Sequence, residues 1–253
     1  NQDTPSQPPI NKPEIQIQDG KLTAEALWAM GRIGSVTINE ATGNIAYTVS
    51  YYSVSENRST TWIRIMDNSG QEIIDEFVGS EPAWLDQTDA LVYLKGGKML
   101  VRQDKQDIVL SGTDLSIEGF LISPTKENIV LITQVKTVES TADKYPDLAL
   151  ASGRIVDDLM YKHWDEWTET APQPFVHNMN IEYKHGKIIS ISVSHPINIL
   201  EGTPYESPMK PFGGVEQLAW SPDGKTLAYT CRKKAGLEYA ISTNSDIYLY
   251  DIK

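Results

Sequence analysis

The chain has 253 residues, 40% hydrophobic and 9% aromatic, enough apolar surface for a packed core and too much for wholesale disorder. Its 22 basic and 34 acidic side chains leave a net charge of −12, a field that repels a phosphate backbone, so no nucleic-acid partner is expected. The one cysteine, Cys231, excludes an intrachain disulfide framework and a multi-cysteine metal site, and no apolar run approaches the roughly 20 residues of a membrane-spanning helix.

Residues 1–9 are polar and Pro-rich, and residues 1–20 read as an extended or disordered segment. Such a stretch commonly follows a cleaved signal or lipoprotein peptide, which points to a periplasmic or secreted protein, although a chain trimmed at the same point reads identically. Next comes Thr23-Ala24-Glu25-Ala26-Leu27-Trp28-Ala29-Met30-Gly31, a short helix with Thr23 as N-cap and Gly31 at C′.

From there the chain repeats itself. Near its end, Leu218-Ala219-Trp220-Ser221-Pro222-Asp223-Gly224-Lys225-Thr226-Leu227-Ala228-Tyr229 reads as strand, tight corner, strand. Proline presets φ at the second corner position and glycine accepts the positive φ that closes it. Weaker copies run through Val36 to Thr48 with Thr42-Gly43 at the corner, Pro82 to Tyr93 with Ala83-Trp84, and Phe120 to Leu131 with Ser123-Pro124. Taking Ala46, Val92, Val130 and Ala228 as equivalent points, the intervals are 46, 38 and 98 residues. The first two match one propeller blade of about 40–50 residues, and the third implies a large insertion. Thr61 to Asp67 and Asp246 to Asp251 alternate and stop at an aspartate, as outer strands closing the first and last units would.

The fold expected is therefore all-β: about four β-propeller blades forming a partial propeller, near 33–70, 80–112, 116–200 and 214–253. A short N-terminal helix precedes them, and the third blade carries the insertion.

That insertion holds Leu159-Met160-Tyr161-Lys162-His163-Trp164-Asp165-Glu166-Trp167, and Pro172-Gln173-Pro174 stands ahead of Phe175. As a helix from Ile155, residues Val156, Leu159, Met160, His163, Trp164 and Trp167 share its face. As strands, 159–167 and 175–180 supply the outer hairpin that the third blade lacks, and the strand reading is favoured because it leaves no open edge. Asp165 and Glu166, flanked by Trp164 and Trp167, suit an ammonium ion: the carboxylates pair with its charge and the rings add cation–π attraction. The same residues equally describe a hairpin with aromatic packing and solvated acids.

The Tyr161-Lys162-His163-Trp164-Asp165-Glu166-Trp167 run, the later Gln217-Leu218-Ala219-Trp220-Ser221-Pro222-Asp223-Gly224-Lys225 and the Ala26 to Arg32 opening together resemble the propeller of dipeptidyl peptidase 5-type enzymes. These are bacterial members of the prolyl oligopeptidase family of serine peptidases, and the resemblance runs from about Leu22 to Lys253. It implies a propeller of more than four blades, followed by an α/β-hydrolase domain with a Ser-Asp-His triad that removes N-terminal dipeptides. The propeller restricts access and helps to anchor the free amine. This chain stops at Lys253, and no Gly-x-Ser-x-Gly nucleophile turn occurs in it, so the catalytic domain is read as absent and this segment alone as inactive. Neither the spacing of His163, His177, His185 and His195 nor any other motif indicates a metal or a cofactor.

Two functions stand side by side. One is the substrate-gating segment of a secreted or periplasmic serine exopeptidase, with peptide substrates, a C-terminal hydrolase domain as partner, Glu166 and Asp165 as amine anchors, and Trp164 and Trp167 as an aromatic wall. The other is an autonomous propeller serving as a protein-interaction scaffold. A partial propeller presents open flanks, so Ile247, Leu249 and Ile252 are expected to be under-buried and to drive self-association.

Overall fold

A computed structural model describes residues 7–15, 17, 19–85, 88–148, 150–155 and 169–252. Its strands form four antiparallel sheets. The first contains β1 (Arg32–Ile38), β2 (Ile45–Ser53), β3 (Arg58–Met66) and β4 (Ile73–Val78); the second β5 (Ser80–Trp84), β6 (Leu91–Lys95), β7 (Lys98–Gln103) and β8 (Gln106–Val109). The third contains β9 (Gly119–Ile122), β10 (Asn128–Lys136), β11 (Thr170–Lys184) and β12 (Lys187–Asn198), and the fourth β13 (Leu218–Trp220), β14 (Thr226–Cys231) and β15 (Asp246–Asp251). Each strand pairs with its sequence neighbour, the meander of a propeller blade.

One hydrogen bond makes the four repeats equivalent. The backbone N–H of Asn39, Leu85, Ser123 and Ser221 donates to the carbonyl of Asn44, Ala90, Asn128 and Thr226 at 2.8, 2.9, 2.9 and 2.8 Å. These are the corners that the sequence marks. Ser221 Oγ also accepts from the Thr226 N–H at 2.9 Å, and Ser123 Oγ from the Asn128 N–H at 3.1 Å, so the serine that opens each Ser-Pro corner also ties its far side. Gly224 takes φ +68° there, and Lys126 takes φ +60° at the matching place.

Two compact units divide the chain: residues 1–110 with 182–190, and 111–181 with 191–253. In the first, Ala46, Ile63 and Ile65 of one blade pack against Leu91 and Tyr93 of the next. Arg102 joins the same blades, its guanidinium donating twice to Asp75 at 2.8 and 3.2 Å while it lies 4.4 Å from the Phe77 ring. In the second unit, Val130, Ile132 and Val176 pack with Leu218, Leu227, Tyr229 and Cys231. Each unit also carries one indole clasp. Trp84 Nε1 donates to the Thr37 carbonyl at 3.3 Å, and Trp220 Nε1 to the Leu121 carbonyl at 3.1 Å, each reaching the first strand of the preceding blade.

The structure moves several sequence-based boundaries. Thr61 to Asp67 does not close the first blade. Asp67 starts a turn, its Oδ1 accepting the N–H groups of Gln71 and Glu72, and β4 follows, carrying the blade past residue 70 to Val78. In the third blade, 175–180 lies within β11, but its hairpin partner is Lys187–Asn198. The strand or helix expected at 159–167 falls outside the described residues. Ile247 and Leu249 are 74% and 71% exposed, as expected, whereas Ile252 is half-buried against the apolar core.

The helix α1 (Ala24–Ala29) starts at Thr23, whose side chain accepts from the Ala26 N–H at 3.2 Å, and its C-cap is Met30, which places Gly31 at C′. The segment before it is partly packed. Ile10 is buried with Val49 and Tyr51, its N–H donating to Thr60 Oγ1 at 2.9 Å and its carbonyl accepting from Trp62 Nε1 at 2.8 Å.

Candidate functional site

The insertion leaves the third blade between β10 and β11 and is pinned at its base. Lys136 and Thr170 are the last paired residues, and just beyond them the N–H groups of Thr137 and Val138 donate to the Glu169 carbonyl at 2.9 and 3.2 Å. A single helical turn, α2 (Thr141–Lys144), follows with a complete capping box: Asp143 N–H donates to Ser140 Oγ at 3.3 Å and Ser140 N–H to Asp143 Oδ2 at 2.6 Å. Lys136 pairs with the same carboxylate, and hydrogen bonds from Lys136 and Ser140 hold the Asp143 pKa down to about 2. A small polar cavity of about 230 Å³ opens between this turn, Ala151 to Ile155, and Glu169. Trp164, Asp165, Glu166 and Trp167, the site residues expected from sequence, all fall outside the described residues.

A second group of polar side chains, with no signal in the sequence, is assembled in the same unit. Gln173 on β11 is 1% exposed; its amide donates to the carbonyls of Thr203 and Tyr205 at 3.1 and 2.9 Å, and its oxygen accepts from Asn198 Nδ2 at 2.7 Å. These bonds fix the loop that carries Glu206, whose carboxylate is 3% exposed and accepts the hydroxyl of Tyr239. Tyr239 belongs to α3 (Gly236–Ile241), and its ring stacks 4.7 Å from the guanidinium of Arg232. Arg232 Nε and Nη1 and Ser207 Oγ are buried without a hydrogen-bond partner among the described residues. Burial, and then the Glu206 hydrogen bond, push the Tyr239 phenol up, so it donates rather than ionises.

This arrangement holds charge; it does not supply a nucleophile. Burial pushes the adjacent Cys231 thiol up to about 11, far from the thiolate form that reacts. His195 Nδ1 lies 3.0 Å from Ser194 Oγ, but both are exposed and adjacent on β12. His177 is buried with neither ring nitrogen hydrogen-bonded among the described residues. Among the described residues no three His, Cys, Asp or Glu side chains are grouped to hold a metal ion, and no helix is long and apolar enough to cross a membrane.

With this geometry, the chain is 38% identical over 241 residues to dipeptidyl-peptidase 5 of Porphyromonas gingivalis, the match covering 91% of this chain and 34% of that protein. The chain is similar to a part of dipeptidyl-peptidase 5. Dipeptidyl-peptidase 5 of Porphyromonas endodontalis is 36% identical over 257 residues, covering 96% of this chain and 35% of its own length, and that of Aspergillus fumigatus is 27% identical over 250 residues. The chain thus spans about one third of the length of the curated dipeptidyl-peptidase 5 relatives it matches. No family model matches it. Among solved structures, the fold is shared with an acylaminoacyl peptidase in complex with Z-Gly-Gly-Phe-chloromethyl ketone, at TM-score 0.53 and 8% identity over 89% of this chain and 32% of that one. Pyrococcus horikoshii acylaminoacyl peptidase in an orthorhombic crystal form gives TM-score 0.52, also at 8% identity. The dipeptidyl-peptidase 5-like match covers both the pinned insertion and the Glu206 loop.

Proposed function

We propose that this chain is the substrate-gating propeller segment of a periplasmic or secreted serine exopeptidase that releases dipeptides or short N-terminal fragments from peptides. The observation that carries the reading is the 38% identity to a dipeptidyl-peptidase 5 across 91% of the chain. In this reading the nucleophile, its base and the oxyanion hole come from a hydrolase domain elsewhere in the longer protein, and the chain described here admits and positions the peptide. Glu166 and Asp165 neutralise the substrate's N-terminal ammonium, with Trp164 and Trp167 as the aromatic wall that excludes water and adds cation–π attraction. A carboxylate that captures the free amine also counts residues from the end of the chain, which makes an exopeptidase. The pinned base of the insertion supports the role, because an anchor selects position only if its own loop is held.

The test is steady-state hydrolysis of a dipeptidyl reporter by the full-length protein, with Glu166→Gln and Asp165→Asn variants. Loss of a charge-assisted hydrogen bond of about 1.5–3 kcal/mol lowers kcat/KM by about 10- to 100-fold for the free-amine reporter, with little effect on an N-acetylated one. Unchanged specificity constants in both variants would sink the assignment, and a loss seen only in Glu206→Gln would move the anchor to the buried carboxylate. The isolated 253-residue segment is expected to hydrolyse neither reporter.

A further inference from the structure

An open groove of about 690 Å³ lies in the first unit, between the N-terminal segment, α1 and the turn joining β2 to β3. That volume suits a small organic ligand. Ile10, Ile15, Trp28, Tyr52 and Val54 give it an apolar wall. The wall is built in advance. Ile10 is tied at both its N–H and its carbonyl to β3, and Trp28 and Tyr52 meet edge to face at 5.7 Å with the Arg32 guanidinium 4.9 and 4.6 Å from their rings.

Three charges line the groove: Glu25, Glu56 and Arg58. Two of them cancel, because Arg58 donates to Glu56 Oε2 from Nε at 2.7 Å and from Nη2 at 2.5 Å. Glu25 forms no ion pair among the described residues. Its carboxylate stays ionised, its pKa held below the usual range by its own backbone N–H and then by the Thr23 hydroxyl. Arg32 does not line the groove; its guanidinium faces the two rings and donates to the Met30 carbonyl at 3.4 Å.

We infer that this groove binds an amphipathic amine, a ligand with an apolar body against Trp28, Tyr52 and Ile15 and a single ammonium group against Glu25. One uncancelled negative charge at the mouth of an apolar groove complements one positive charge on an apolar ligand, and a neutral or anionic ligand leaves that carboxylate unmatched. The site shares no residue with the insertion and does not rest on the peptidase reading.

The test is calorimetric titration of the 253-residue chain with 4-phenylbutylamine and with its uncharged counterpart 4-phenylbutan-1-ol. The amine is expected to bind about tenfold more tightly, or better, and to weaken as salt is raised. Glu25→Gln brings the two probes to the same affinity, and Trp28→Ala weakens both. Glu25 is solvent-exposed, so its variant should keep the wild-type circular dichroism. Equal binding of amine and alcohol to the wild type, an unchanged preference in Glu25→Gln, or no binding of either probe at millimolar concentration would overturn the inference. None of these outcomes bears on peptide hydrolysis by the full-length protein.

Discussion

Gly31 sits at the C′ position that sequence reasoning gave it, but it is not among the residues with positive φ, so conformational freedom is not why it is glycine. A Cβ there would lie 2.7 Å from Val49 Cγ2 and 2.8 Å from Tyr51 Cε1, both on buried side chains of β2. Gly31→Ala should therefore cost about 1–3 kcal/mol through overpacking. Gly153→Ala, where nothing lies within 4 Å, should leave the thermal midpoint unchanged, and equal midpoints for the two variants would refute the packing argument. His177 provides a second test at this scale. It is 1% exposed, and burial lowers its pKa, so the native state holds it neutral. Below about pH 6.5 the unfolded chain takes up a proton that the native chain refuses. Its contribution to stability is thus fully present above that pH and is lost as pH falls toward the depressed native value. Denaturant midpoints measured from about pH 7.5 to about pH 5.5 should fall more steeply for the wild type than for His177→Phe, and parallel slopes would contradict this.

At the scale of the element, the corner and the indole clasp divide the work of a blade. The corner is local: in the last blade its serine, its turn glycine and the residue that closes the strand pair lie within Ser221 to Thr226, so the sequence shows it directly. The clasp is not local. Trp84 and Trp220 stand out in the sequence as repeated aromatics, yet only the packed blades reveal that each indole N–H ends on a carbonyl of the preceding blade's first strand. Trp84→Phe and Trp220→Phe keep most of the apolar contact and remove the donor, so each should lower stability by about 1 kcal/mol in urea denaturation. A loss confined to one of the two would show that the clasps are not equivalent. The outer strands were less legible than the corners. In the third blade 175–180 falls within 170–184, whose hairpin partner is 187–198, because the two long strands pair across a turn at His185-Gly186 that carries positive φ at both residues; 159–167, the partner read from sequence, lies outside the described residues. Strand propensity alone does not say which of several β-capable stretches will be partnered.

For the whole molecule, exposed apolar strands set the expected behaviour. Ile33, Val36 and Ile38 of β1 are 71%, 59% and 60% exposed, and Ile247 and Leu249 of β15 are equally open. Apolar rows on strand faces favour association. The isolated 253-residue polypeptide should therefore form dimers or larger species in light scattering at high concentration, and charge substitutions such as Ile247→Lys with Leu249→Lys should reduce them. A monodisperse monomer across the concentration range would count against this. The sequence by itself determined the repeat, its corners, the all-β class and the resemblance to a peptidase propeller, because turn chemistry and strand alternation act over a few neighbouring residues. Only the tertiary structure decided which strands close each blade, gathered Gln173, Glu206, Arg232 and Tyr239 into one buried polar cluster, and walled a groove from the N-terminal segment and β2–β3. Those pairings join residues far apart in the chain, and their energies come from burial and from hydrogen bonds that no local pattern specifies.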